Sequence, residues 1–284
     1  MADPDILQSK PPLCLCLGYG YVAQAFGAGL RARGGRVIGT RRAGQGRDIM
    51  AFDGGAASPA LREAFSAASV ILVSIPPGRG GDPTLTALAD ASTQPNAWIG
   101  YLSTTAVYGD LGGGWAFEDG PFGPREPRGQ ARLDAEAGWR ARGAQVFRLA
   151  GIYGPGRSPF DRLRAGDAQR IIKPGQVFSR IHRDDIVSAL RASLDLPQPG
   201  AVYNLCDDAP TPPQDVIAFA AGLIGAPCPP DTPIGQAHLS QLAASFYAGN
   251  RRVSNARAKA ALGWRPAFPS YREGLAAVLA AESG

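Results

Sequence analysis

Lysine is almost missing from this chain. Its 29 basic residues are 26 Arg and only Lys10, Lys173 and Lys259, so a lone arginine reflects composition as readily as a need for guanidinium chemistry. The four cysteines, Cys14, Cys16, Cys206 and Cys228, have neither a metal-ligand spacing nor a disulfide framework and read as small buried hydrophobes, so no metal is expected. No apolar run approaches the roughly 20 residues that span a bilayer, and the opening MADPDILQSKPP is acidic with no apolar core, unlike a signal peptide. A cytoplasmic protein away from membranes is expected. Its +5 charge is dispersed, with no block of five like charges, which argues against nucleic acid. The sharpest absence is local: from Gly109 to Ile152 there is no Tyr, Lys, His or Cys.

What is present is globular, with 45% hydrophobic and 19% charged residues over 284 positions. Short apolar runs (LCLCL at 13–17, RVIGT at 36–40, VILVSI at 70–75, AWIGYL at 97–102) alternate with helical patterns after Tyr21 and near 58–68. Strands separated by helices of this length predict right-handed crossovers and a doubly wound parallel α/β sheet. A further strand begins at Gln145. Beyond it the elements shorten: a helix near 184–194, a strand AVYNL at 201–205, a helix after Pro213, and two terminal helices near 254–262 and 270–281. The expected organisation is an N-terminal extension (1–12), a Rossmann domain (13–150) and a smaller α+β substrate-side domain (151–284), with about 180–195 returning to the large one.

LCLCLGYGYVAQAF places Gly18, Gly20 and Ala23 in G-x-G-x-x-A spacing between the first strand and the first helix. The first Gly permits a tight turn, the second lets a pyrophosphate reach the backbone, and the small third residue lets helix and strand pack closely. Gly18, Tyr19, Gly20, Tyr21, Val22 and Ala23 are therefore candidate dinucleotide contacts, with Ser74 within the VILVSI run. An acidic residue at the end of the second strand would bind the ribose of NAD; here stand Thr40, Arg41 and Arg42, with no carboxylate until Asp48. Two guanidiniums suit a 2′-phosphate, so NADP is the expected cofactor and NAD the alternative. Asp53 either meets the adenine amino group or is a solvated turn residue.

The phrases LGYGYVAQAF, YLSTTAVYGD, FRLAGIYGPG, RIHRDDIVSAL, YNLCDDAPT and RVSNARAKAALGW, in this order, resemble the extended short-chain dehydrogenases/reductases, the NAD-dependent epimerase/dehydratase type. The resemblance covers about residues 13–280. It implies a Ser or Thr after a central strand that orients a substrate oxygen, a Tyr acid/base and, four residues later, a Lys that holds the nicotinamide ribose. Thr104 falls at the hydroxyl position, flanked by Ser103 and Thr105. Arg128 falls at the Tyr position and Arg132 at the Lys position, in EPRGQARLDAE. An arginine replaces Lys for ribose binding, but it keeps its proton at any accessible pH and cannot replace Tyr. The atypical branch of the superfamily is the closer match.

Arg128 and Arg132 are i and i+4 and leave one helix face a turn apart. Either Arg132 pairs with Glu136 and Arg128 stays in solvent, or the two hold a carboxylate or phosphate. Glu118 and Asp119 are the nearest carboxylates to stand in as acid/base, or belong to a structural loop. His182 reads as structural, with Asp184 or Asp185 capping the helix that follows. His238 has no assigned place. Arg157, Arg162 and Arg164 are either substrate contacts or solvated charges. Two functions follow: an NADP-dependent oxidoreductase or epimerase-like enzyme with a non-standard site, or a non-catalytic NADP-binding sensor. The expected partner is a small molecule, anionic or sugar-nucleotide-like, and a homodimer is compatible with all of this.

Overall fold

The computed structural model describes residues 12–124 and 127–283. Residues 1–11 of the expected 1–12 extension, and Arg125 and Glu126, lie outside them. Strand β1 (Leu13–Leu17) is followed by α1 (Tyr21–Arg31), β2 (Arg36–Arg41), β3 (Ile49–Ala51), α2 (Pro59–Ala67), β4 (Val70–Val73), α3 (Pro83–Ala87) and β5 (Trp98–Thr104). Then come β6 (Trp115–Ala116), α4 (Pro127–Ala141), β7 (Gln145–Leu149), β8 (Gly151–Tyr153), α5 (Phe160–Arg164), β9 (Arg170–Ile172), β10 (Arg180–His182) and α6 (Arg183–Asp195). The chain continues through β11 (Val202–Leu205), α7 (Pro213–Ile224), β12 (Asp231–Pro233), α8 (Gln241–Tyr247), β13 (Arg252–Val253), α9 (Ala256–Leu262) and α10 (Tyr271–Glu282).

Seven strands form one sheet in the order β11-β7-β5-β4-β1-β2-β3, parallel in the pairs β1–β2, β2–β3, β1–β4 and β4–β5. This is the doubly wound α/β sheet. The strands are apolar on both faces, as a sheet covered by helices requires: LCLCL is buried from Cys14 onward and VILV from Ile71 onward. One expectation is corrected. AVYNL, assigned from sequence to the smaller domain, is the edge strand β11 of the main sheet. Four buried residues with no alternation carry no signal of which sheet they join.

The described residues divide into two compact units that interleave along the chain, where the expected organisation has a boundary at residue 150 with about 180–195 returning to the large domain; here 180–195 falls in the second unit. The first holds 12–102, 134–146 and 197–201; the second holds 103–124, 127–133, 147–196 and 202–283. In the first, Asp82 caps α3 by accepting from Thr84 N at 2.8 Å and Leu85 N at 3.1 Å, while its other oxygen accepts from Trp139 Nε1 at 3.0 Å. One buried carboxylate thus ties α3 to the end of α4. In the second, β8, α5, α7 and α10 close on a core of Tyr153, Phe160, Leu163, Val216, Leu275 and Val278.

Candidate functional site

The direction of strand succession reverses between β1 and β4, the place in open α/β sheets where ligands sit beyond the carboxyl ends of the strands. Leu17 pairs with Val73, so Gly18 and Ser74 leave the sheet side by side. Three hydrogen bonds hold the turn: Gly18 N donates to Thr40 Oγ1 at 2.8 Å, Tyr19 N to Thr40 O at 2.8 Å, and Ser74 Oγ to Gly18 O at 2.5 Å. Gly18 has φ +91°, and a Cβ there would lie 2.7 Å from Ser74 Oγ and 2.9 Å from Ile75 Cγ1, so glycine is required on two counts. Gly20 differs. It caps α1 with φ −94°, and a Cβ on it would meet nothing within 4 Å.

That open ground lies at the N-terminus of an 11-residue helix with no acidic residue in its first turn. First-turn N–H groups have no intrahelical acceptor and carry the positive end of the helix dipole, so the cradle fits a pyrophosphate. Val22 and Ala23 are buried side chains, and their share in such a contact is confined to backbone N–H. Tyr19 spends its ring elsewhere: it covers Gly39 and Gly27, where any Cβ would strike it, and Arg31 Nη1 donates to its hydroxyl at 2.5 Å. Buried Thr40 is committed to the turn. Exposed Arg41 lies 5.8 Å from the Tyr19 ring centre and its Nε donates to Tyr19 O at 3.4 Å; Arg42 is exposed. Asp53 is exposed, and its Oδ1 accepts from Gly55 N at 3.0 Å, a local turn contact.

The family-position residues belong to the second unit. Thr104 ends β5, half-buried, and its Oγ1 accepts from Ala106 N at 3.2 Å, which leaves its own hydrogen to donate. Ser103 and Thr105 are buried. Arg128 is exposed on α4, Arg132 half-buried and Glu136 buried. Two tyrosines, Tyr108 and Tyr153, are held in hydrogen bonds. Tyr108 donates to Asn204 Oδ1 at 2.6 Å and accepts from Arg148 Nη1 at 2.9 Å, and burial pushes its pKa up to about 12. Tyr153 donates to Ser270 O at 3.3 Å, and burial likewise pushes its pKa well up.

Sequence reasoning missed the centre of this network, Arg148. It is 3% exposed, donates to Glu118 O at 2.9 Å, and its guanidinium stacks 4.7 Å from the Phe122 ring centre. The available signal was a lone charge inside the apolar strand QVFRL. Glu118 accepts from Asn204 N at 2.9 Å and lies 3.8 Å from Arg257 Nε; burial raises its pKa. Asp119 is exposed and bonded by Arg257 Nη2, which lowers its pKa. Both carboxylates anchor their loop.

For α6 the capping expectation is corrected: the cap is His182, whose Nδ1 accepts from Asp184 N at 3.2 Å, not Asp184 or Asp185. The His182 ring packs 4.2 Å from Phe268, and burial lowers its pKa, so it is neutral at pH 7. Asp185 turns inward and accepts from Ala267 N at 2.6 Å and Phe268 N at 3.1 Å. Arg157 is exposed, Arg162 donates to Asp167 O at 2.9 Å, and Arg164 pairs with Glu282 at 2.6 Å. His238 is exposed. No metal-ligand cluster occurs among the described residues, and none of their helices is long and apolar enough to cross a membrane.

No family model matches the chain. Two solved structures similar to it over nearly their whole length place it. A conserved protein of unknown function from Silicibacter pomeroyi is 45% identical, with a TM-score of 0.85 over 96% of this chain and 100% of that one. A Methylobacillus flagellatus protein described as an NAD-dependent epimerase/dehydratase is 25% identical, with a TM-score of 0.72 over 97% and 100%. The chain has the fold of the epimerase/dehydratase-like short-chain dehydrogenases/reductases. Among more distant members of the fold, the human epimerase family protein SDR39U1, solved with NADPH, has 19% identity and a TM-score of 0.76 over 94% and 98%. A 3-diazoavenalumate denitrifying reductase of a Streptomyces species is 33% identical over 138 residues, 46% of this chain and 45% of that protein, so the match spans under half of its length. Protein YeeZ of Escherichia coli is 27% identical over 68% of this chain and 77% of its own.

Proposed function

We propose that this chain is a member of that family, an NADP-dependent oxidoreductase or epimerase-like enzyme with a non-standard active site. The observation that carries the cofactor assignment is the end of β2. Thr40 is spent on the glycine turn, no carboxylate follows it in sequence until Asp48, and Arg41 is laid against the turn with Arg42 exposed next to it. The open N-terminus of α1 would hold the pyrophosphate, Arg41 and Arg42 the 2′-phosphate, and Arg132 the nicotinamide ribose. Bound there, a nicotinamide dinucleotide supplies or accepts a hydride. NADPH in the human neighbour and the reductase name of the Streptomyces relative support the reading.

On the substrate side, Thr104 would orient the reacting oxygen with its uncommitted hydrogen. Arg128 would pair with an anionic group, since a guanidinium attracts charge but does not shuttle protons. One charge-assisted contact to the 2′-phosphate contributes about 1.5–3 kcal/mol, a preference for NADP over NAD of about one to two orders of magnitude. Calorimetric titration of both cofactors into the wild type and into Arg41→Ala and Arg42→Ala tests this. An unchanged NADP-to-NAD ratio in both variants removes the assignment.

One observation favours a second reading, a non-catalytic NADP sensor: Tyr108 donates its hydroxyl hydrogen to the buried Asn204 amide and Tyr153 to the half-buried Ser270 carbonyl, and Arg128 holds its proton. That reading gives cofactor binding without turnover across a broad metabolite panel. The enzyme reading gives NADPH oxidation that Thr104→Ala abolishes.

A further inference from the structure

Within the second unit, α7, α8 and α10 and strand β9 line a half-open cavity of about 520 Å³, a volume ordinary for small-molecule sites. Ile171, Val216 and Leu275 give it apolar walls, and Tyr153, Tyr247 and Tyr271 line it with aromatic surface. Arg180, at the start of β10, reaches into the same wall. Its Nη1 donates to Phe178 O at 2.9 Å and Thr211 O at 3.1 Å, so two backbone carbonyls fix the guanidinium in place. Its Nε and Nη2 donate to no acceptor among the described residues, and no carboxylate forms an ion pair with it.

A guanidinium in such surroundings ordinarily has a carboxylate in ion-pair contact, and among the described residues this one has none. Burial lowers the Arg180 pKa. Among the acids Asp207 has the largest influence on it, and it does not supply a full negative charge near neutral pH because burial lifts its own carboxyl to about 7. The other cation on the cavity wall, Arg162, is exposed and already donates to Asp167 O. There is one withdrawn positive charge with a planar pair of donors unused, set among apolar and aromatic walls.

We propose that this cavity binds an organic monocarboxylate with an aromatic body, its carboxylate held by the Nε and Nη2 hydrogens of Arg180. A planar carboxylate matches the guanidinium fork in two parallel hydrogen bonds, and the ring lies against the tyrosines. A nucleoside diphosphate brings more negative charge than one withdrawn cation offsets. The site is independent of the cofactor assignment, because every group in it belongs to the second unit.

The test titrates cinnamate, its neutral isostere cinnamamide, inorganic phosphate and uridine diphosphate into the full chain without cofactor, by calorimetry. Cinnamate is expected to bind, with cinnamamide and phosphate weaker by about 10-fold or more. Arg180→Gln is expected to lose cinnamate by a similar factor. Because Arg180 also holds two backbone carbonyls, a second variant, Ala243→Trp, fills the cavity from the α8 side and leaves Arg180 intact. It too is expected to abolish binding, with an unchanged circular dichroism spectrum. No heat from cinnamate, equal binding of the amide, tighter binding of uridine diphosphate, or full cinnamate binding in folded Ala243→Trp would each overturn the proposal.

Discussion

Asp207 follows β11 and is 1% exposed. Its Oδ1 accepts from Ala209 N at 3.2 Å, and its Oδ2 is buried with no hydrogen-bond partner among the described residues. Burial is the largest influence on it and lifts its pKa from 3.8 to about 7. Between those values the native carboxyl keeps a proton that the unfolded chain has released. Native stability therefore falls as pH rises through that window and is level above it, the reverse of the usual salt-bridged Asp. The slope is about 1.4 kcal/mol per pH unit, so the whole fall is about 4 kcal/mol, an upper figure that local water entry would reduce. Asp207→Asn keeps the shape and the acceptor for Ala209 N but cannot ionise. Urea unfolding of both proteins at about pH 5 and about pH 8 should show the variant gaining about 3 kcal/mol on the wild type between the two. Parallel profiles would show that the carboxylate is not desolvated, and the reasoning would fail.

Two further perturbations separate the framework from the cradle. Gly18→Ala forces a Cβ to within 2.7 Å of Ser74 Oγ at φ +91°, and should cost about 2–4 kcal/mol in urea unfolding; a cost near zero would contradict the turn geometry. Asp82→Ala removes the α3 cap and strands Trp139 Nε1, and should cost about 2–4 kcal/mol, with Trp139→Phe costing less because no donor is left unpaired.

How far the sequence could be read depended on whether a signal was local. The glycine turn was legible because spacing, flanking strand and following helix all sit in one stretch, and the roles of Gly18 and Gly20 follow from backbone geometry. The strands β1, β2, β4 and β5 were legible from continuous apolar runs. Pairing across the sheet was not: β11 joined the main sheet although VYNL reads the same in either place. Long-range polar contacts were equally hidden. Arg148 bonds Tyr108 across 40 residues, and Asn204 bonds Tyr108 across 96. Only the oddity of a charge or an amide inside an apolar strand hinted at either. His182 displaced the aspartates as the α6 cap because Asp185 was needed by Ala267 and Phe268, far along the chain. Of the residues read as cofactor contacts, Thr40 has its side chain engaged in holding the turn itself, and the Tyr19 ring packs over Gly39 and Gly27.

The central claim is that the space above Gly20 receives a dinucleotide pyrophosphate. Gly20→Val puts a branched side chain into ground where a Cβ meets nothing within 4 Å, at an ordinary φ of −94°, so the fold should lose no more than about 1 kcal/mol. The decisive measurement is the dissociation constant of NADPH for this variant beside the wild type, with thermal unfolding as the control. The account predicts binding by the wild type and a loss of about 100-fold or more in a variant that melts almost unchanged. NADPH binding equally well to folded Gly20→Val would contradict it.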